Sequence, residues 1–94
     1  MNVHWTPQAL QDTAAILEHI AADDAQAAQQ LQERLLTIIE TTLVTQPKIG
    51  RPGRVASTRE LVVHHNYILA YRGHAERIEL LAFRHSGRLW PNNF

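Results

Sequence analysis

The chain has 94 residues, 45% of them apolar, no cysteine, and nine basic residues against nine acidic ones. That length suits a single domain, residues 1–94, with one core of modest size, and the apolar share excludes a disordered chain. The missing thiols exclude disulfide staples, thiolate metal sites and cysteine nucleophiles, and no apolar run is long enough to span a bilayer.

The neutral total hides a split. Residues 1–50 carry two basic and six acidic side chains, a net of −4; residues 51–94 carry seven arginines against three glutamates, a net of +4. Such an asymmetry predicts two halves with different partners. Eight of the nine basic residues are arginines, and arginine is the better fork for phosphate and carboxylate. The N-terminus lacks the basic-then-apolar pattern of a signal peptide, so the expected location is cytoplasmic.

Asn2–Trp5 alternates polar and apolar residues, which predicts a short strand with Val3 and Trp5 inward. Thr6-Pro7 is a helix start, with Thr as the cap and Pro in the first turn. The helix is expected to end near Ala21 or Ala22, with Ala9, Leu10, Ala14, Ile16, Leu17, Ile20 and Ala21 as its apolar stripe. Gln8, Gln11, Asp12, Glu18 and His19 then fall on the wet side. Asp23-Asp24 restarts the chain, since either can cap a second helix from about Ala25 to about Thr45. Its expected buried stripe is Ala28, Leu31, Leu35, Ile38, Ile39 and Thr42, and Pro47 stops it. The short joint predicts an antiparallel helical hairpin.

Gly50 to Ser57 reads as a basic loop punctuated by glycine and proline. Three β-rich runs follow, about Arg59–Val63, Tyr67–Arg72 and Arg77–Phe83, separated by His64-His65-Asn66 and Gly73-His74-Ala75. Short connections imply an antiparallel meander. The fold class is therefore α+β: an N-terminal strand, a helical hairpin, then a three-stranded antiparallel meander. The last strand is apolar on both faces, so its periodicity leaves open which face meets the helices.

Six histidines invite a metal reading, but His64 and His65 are adjacent on a turn and no H-x-x-x-H pair or carboxylate cluster stands near them. No glycine-rich loop precedes a helix, and no nucleophile motif surrounds the serines. No metal and no cofactor is expected. The chemistry-bearing cluster is cationic: Arg51, Arg54, Arg59, Arg72, Arg77, Arg84, His85 and Arg88. Such residues bind a phosphodiester, or cleave it with histidine as acid or base and arginine stabilising charge. Alternatively they dock an acidic partner, or pair with Glu60, Glu76 and Glu79 across strands.

The order strand, helix, helix, three strands, together with V-H-W-T-P-Q-A, L-V-T-Q-P-K-I-G and above all G-R-P-G-R-V-A-S-T-R-E-L-V-V, resembles the RelE/ParE superfamily of bacterial toxins. Y-I-L-A-Y-R, I-E-L-L-A-F-R-H and G-R-L-W-P extend the resemblance over essentially the whole chain. The resemblance implies a growth-inhibiting toxin of a type II toxin–antitoxin pair, neutralised by a cognate antitoxin. Its favoured target is DNA gyrase, as in the ParE branch; the alternative is ribosome-dependent, metal-independent cleavage of messenger RNA, as in the RelE branch. A third reading is a degenerate toxin that acts only as a binding module. For a nuclease, the catalytic residues implied are His85, Arg84 and Arg59. The single lysine, Lys48, departs from the lysine-bearing basic set of RelE-like nucleases. Target or antitoxin binding is expected at Arg51, Arg54, Arg59, Arg84, Arg88 and Trp90. The expected assembly is a homodimer or a hetero-oligomer with the antitoxin, with no membrane partner.

Overall fold

The computed structural model of the protein describes residues 1–87, Trp90 and Phe94. The chain runs β1 (Asn2–Trp5), α1 (Pro7–Asp23), α2 (Ala25–Thr37), β2 (Arg51–Pro52), β3 (Arg59–His64), β4 (Tyr67–Gly73) and β5 (Arg77–His85). Both helix starts follow from their caps. The Thr6 hydroxyl accepts from the Ala9 N–H at 3.2 Å, and the Asp24 carboxylate accepts from the Ala27 N–H at 3.0 Å. Each side chain satisfies an N–H that the first helical turn leaves without a partner. Asp24, not Asp23, is the second cap.

Along α1 the residues that meet the core are Ala9, Ile16, Leu17 and Ile20. Leu10 is 54% exposed, and Ala14 and Ala21 are exposed as well. The buried line thus passes through Asp12 and Thr13 rather than Leu10 and Ala14. The sequence reading followed hydrophobicity alone here and put Asp12 on the wrong side.

Helix α2 continues into a π-helical turn, Ile38–Leu43, before Val44 and Thr45 return to α-helix. The consequence is one of phase. In a regular α-helix every fourth residue drifts about 40° around the axis, since 3.6 residues make a turn. The wider π turn sets that drift back. Leu31, Leu35, Ile39 and Leu43 all remain buried, at fourfold spacing, across three turns of helix. The predicted stripe had Thr42 where the structure buries Leu43, because a constant helical period was assumed.

All five strands form one sheet in the order β1-β5-β4-β3-β2. The three-stranded meander of the sequence reading is its centre. Two additions come from the tertiary structure: β1 pairs in parallel with β5, and Arg51–Pro52 of the basic loop pairs with Arg59 and Glu60. The helices cover one face, where Val63, Leu69, Tyr71, Ile78, Leu80 and Phe83 meet Leu31, Leu35, Ile39 and Leu43. The ambiguity of β5 is resolved by a bulge. Ala70 pairs with Ala82 and Tyr71 with Leu80, leaving Leu81 as an extra residue. Ile78 and Leu80 face the helices before the bulge and Phe83 after it, while Leu81 and Ala82 join Ala70 under Trp90 and Phe94 on the other face.

The burial pattern yields a stability prediction. Leu35, 1% exposed, sits mid-stripe on α2. Leu35→Ala should cost about 2–5 kcal/mol in urea unfolding. Ile38→Ala should cost less, because Ile38 is only half-buried at the start of the π turn.

Candidate functional site

The basic loop is built around one carboxylate. Glu60 lies on the sheet face away from the helices with its side chain 2% exposed. Its neighbours in register on β4 and β5 are alanines, Ala70 and Ala82, which leave room for the carboxylate. Oε2 accepts from the Arg54 backbone N–H at 2.7 Å, and Oε1 lies 3.3 Å from Arg51 Nη2 and 3.6 Å from Arg54 Nε. A buried carboxylate is tolerable only with such partners. The Arg54 guanidinium also stacks over the Trp90 ring, 4.5 Å from its centroid, and Nη2 reaches the Ser86 carbonyl at 3.4 Å. Arg51, Arg54 and Trp90 are therefore brought together. The alternative that arginines pair across strands holds here, and again for Arg72 and Glu79, which are register partners 3.6 Å apart.

The start of the loop is pinned from the opposite face. The Tyr71 hydroxyl, on a fully buried side chain, accepts from the Gly50 N–H at 2.9 Å and donates to the Pro47 carbonyl at 2.8 Å. Arg59 Nη1 donates to the carbonyls of Gly50 at 2.8 Å and Lys48 at 3.3 Å. The glycines answer to this crowding. A Cβ on Gly50 would come within 2.7 Å of the Tyr71 hydroxyl, and one on Gly53 within 2.1 Å of Thr58 Oγ1. Burial raises the Tyr71 pKa above its usual value of 10.0, opposed by the Gly50 hydrogen bond and by the nearby Arg59 charge.

The other predicted residues stand at the far end of the sheet. Asp12 Oδ2 accepts from the Phe83 backbone N–H at 3.1 Å and lies 3.4 Å from Arg84 Nε, while Oδ1 accepts from Gln8 at 2.7 Å. Arg84 and His85 open onto a cleft of about 660 Å³ between α1 and the end of β5, with Tyr67 and Phe83 among its walls. His85 stands edge-on to Tyr67, and its Nδ1 accepts from the Gly87 N–H at 3.1 Å. In the neutral ring Nε2 then carries the proton. Arg59 is not part of this group. It is in register with Tyr71 and Arg84 with Ile68, three positions along β4, or roughly 10 Å, and on opposite flanks of that strand. Arg88 lies outside the described residues. Among the described residues no cluster of His, Cys, Asp or Glu could hold a metal ion, and no helix is long and apolar enough to cross a membrane.

The family model for the ParE toxin of the type II toxin–antitoxin system parDE matches residues 3–90. The chain belongs to the ParE toxin family. Within the wider RelE/ParE superfamily it is 38% identical over 91 residues to Y4kP of Sinorhizobium fredii, covering 96% of this chain and 93% of the relative. It is 36% identical over 88 residues to the toxin RelE2 of Caulobacter vibrioides, covering 94% and 98%. The fold is that of a chain in the chromosomal ParDE toxin–antitoxin system of P. aeruginosa, with a TM-score of 0.70 at 22% identity over 90% of this chain and 95% of the other. It also matches the YoeB/ParE toxin of Agrobacterium tumefaciens, with a TM-score of 0.63 at 20% identity over 90% and 98%. This ParE-family chain is thus a type II toxin, and its relatives carry both ParE and RelE names.

Three residues that organise the site were not singled out from sequence: Asp12, Tyr71 and the clamping role of Glu60. Asp12 had a signal, because it sits on the Ala9–Ile16–Ile20 line at helical spacing. Tyr71 had none, since nothing local tells a pinning phenol from a core aromatic.

Two measurements check this construction. Glu60→Gln keeps an acceptor for the Arg54 N–H but removes the charge facing Arg51 and Arg54. It should cost about 1–3 kcal/mol in chemical unfolding. Tyr71→Phe should cost a similar amount near neutrality, about 1–3 kcal/mol, by leaving the Gly50 N–H unpaired. The pH dependence has a definite sign. The native phenol keeps its proton to a higher pH than the unfolded one, so the native state binds more protons above about pH 10. The Tyr71 contribution is complete below that pH and is lost as pH rises through the raised native value. Urea unfolding across alkaline pH should show this fall in the wild type and less of it in Tyr71→Phe.

Proposed function

We propose that this ParE-family toxin inhibits growth by binding DNA gyrase, without cutting messages itself, and that its cognate antitoxin neutralises it by direct binding. One observation carries the choice of target: the residues a nuclease would need are dispersed. Arg59 is turned back onto two loop carbonyls at the other end of the sheet from Arg84 and His85. The Arg84 guanidinium is engaged by Asp12, and His85, with Nδ1 occupied, offers a donor at Nε2 rather than a base. A binding surface asks less of the geometry. Arg51 and Arg54, with side chains 56% and 40% exposed, stand beside Trp90 on a rigid support and suit an acidic or polar protein face.

For the antitoxin, two features favour docking near the β3–β4 turn. A largely apolar groove there is walled by Ile20, Leu31, Ile38 and Tyr67, with His64 and Arg34 at its rim. Beside it β3 runs on past its two residues of pairing with β2, and Val62 is 46% exposed. A groove accepts an amphipathic helix and a strand edge accepts a strand. Acidic side chains on the antitoxin would meet Arg54, Arg59 or Arg84.

The rival reading, a ribosome-dependent and metal-independent messenger RNA endonuclease, draws on the likeness to RelE2 and on His85 lining an open cleft. The two readings separate in induced cells. Gyrase binding should provoke a DNA-damage response, inhibit supercoiling by the purified protein, and survive in His85→Ala. Primer extension that finds ribosome-dependent cuts with the wild type, lost in His85→Ala, would overturn the proposal. Unimpaired growth on induction would leave only a degenerate toxin.

A further inference from the structure

We propose that a hollow at the β4–β5 turn is a second docking point, occupied by an acidic and apolar peptide segment of the antitoxin. The inference rests on the neutralisation reading above and adds an anchor at the opposite end of β4 from the groove. The hollow measures about 1050 Å³ and lies between residues 46–52 and Gly73–Ala75. Its apolar part is formed by Met1, Pro47, Ile49 and Pro52. Met1 and Ile49 are 53% and 44% exposed, two of the five large hydrophobic side chains most open to solvent among the described residues. Its polar rim holds Lys48 and Arg59, and no carboxylate of the described residues lines it. Glu76, on the same turn, lines the adjoining hollow with Asn2 instead.

Three features select the occupant. First, two full positive charges without a facing acid favour an anionic partner. Second, exposed Ile49 and Met1 favour large apolar side chains on that partner. A nucleic acid would answer the charge but not the apolar floor, and among the described lining residues the one ring on which a base could stack is His74, whose Nε2 is engaged by the Glu79 carboxylate at 3.3 Å. A peptide alternating carboxylate and apolar side chains answers both. Third, the site is already ordered. The Tyr71 hydroxyl holds the Pro47 carbonyl, and Arg59 is held by the carbonyls of Lys48 and Gly50, so little is lost in fixing these groups on binding. The groove is lined by His64 and Tyr67 at one end of β4 and the hollow by Gly73 at the other. The seven residues of that strand span roughly 23 Å, a reach that an extended antitoxin segment of about seven residues covers.

The probe is a terminally blocked octapeptide alternating leucine and glutamate, titrated into the isotope-labelled full chain by NMR. Shifts should concentrate at residues 46–52 and 73–75. The same peptide with glutamine for glutamate should bind roughly tenfold more weakly, and so should Lys48→Glu or Ile49→Ser protein with the original peptide. Both positions carry solvent-facing side chains, so the fold is retained. The purified antitoxin should likewise lose roughly tenfold in affinity for Lys48→Glu. Shifts elsewhere, equal binding of the glutamine peptide, or an antitoxin affinity indifferent to Lys48→Glu would each overturn the proposal. Toxicity on induction is read separately: a harmless wild type ends the toxin mechanism but leaves the peptide result standing.

Discussion

Strand β5 is nine residues long, and the strand beside it on the N-terminal side has only four. Beyond Leu80 the outer edge of β5 therefore needs other partners for its backbone groups. Thr6 and Asp12 supply them. The Thr6 N–H and hydroxyl both donate to the Leu80 carbonyl, and Asp12 accepts from the Phe83 N–H. The same threonine caps α1, so the helix start, the end of β1 and the middle of β5 meet at one residue. This junction seats the helical hairpin on the sheet. It also engages Arg84 through the Asp12 carboxylate, so the geometry at the end of β5 depends on a residue of α1.

The basic character of the second half is largely answered from within. Glu60 faces Arg51 and Arg54, Glu79 faces Arg72, and Asp12 crosses from the acidic half to Arg84. Pairing does not remove the arginines from function. It fixes their forks, at the cost of a buried carboxylate that only a well-bonded loop can support. A loop rich in glycine, proline and arginine reads as a mobile cationic arm; here it is a pinned structure, held by Glu60 from one face of the sheet and by Tyr71 from the other.

The sheet consequently has two chemically different ends. At the β3–β4 turn lie the apolar groove, the cleft beside His85 and the length of β3 beyond its pairing with β2. At the β4–β5 turn lies the hollow around Lys48 and Ile49. A toxin held silent by a partner gains from separated contacts, because a segment that engages both ends binds the second as an intramolecular event. Membership of the ParE family supplies the biological frame.

The sequence by itself determined the elements and the family. Caps at Thr6 and within the Asp23-Asp24 pair, the stop at Pro47 and the β-rich runs are local signals, read within a few residues of where they act. The α+β class and the RelE/ParE resemblance followed from their order. What only the tertiary structure decided depends on residues far apart in the chain. The parallel pairing of β1 with β5 joins residues more than seventy positions apart, and no local pattern encodes it. The π turn that keeps Leu43 buried and the bulge that puts Ala82 on the far face and Phe83 on the helix face each insert one residue into a period, so a constant-period reading slips at both. Asp12 looked solvent-facing because its helix was judged by hydrophobicity, whereas its burial is repaid by hydrogen bonds from a strand seventy residues away. A side chain's role as counter-charge or pin exists only once its partner has arrived.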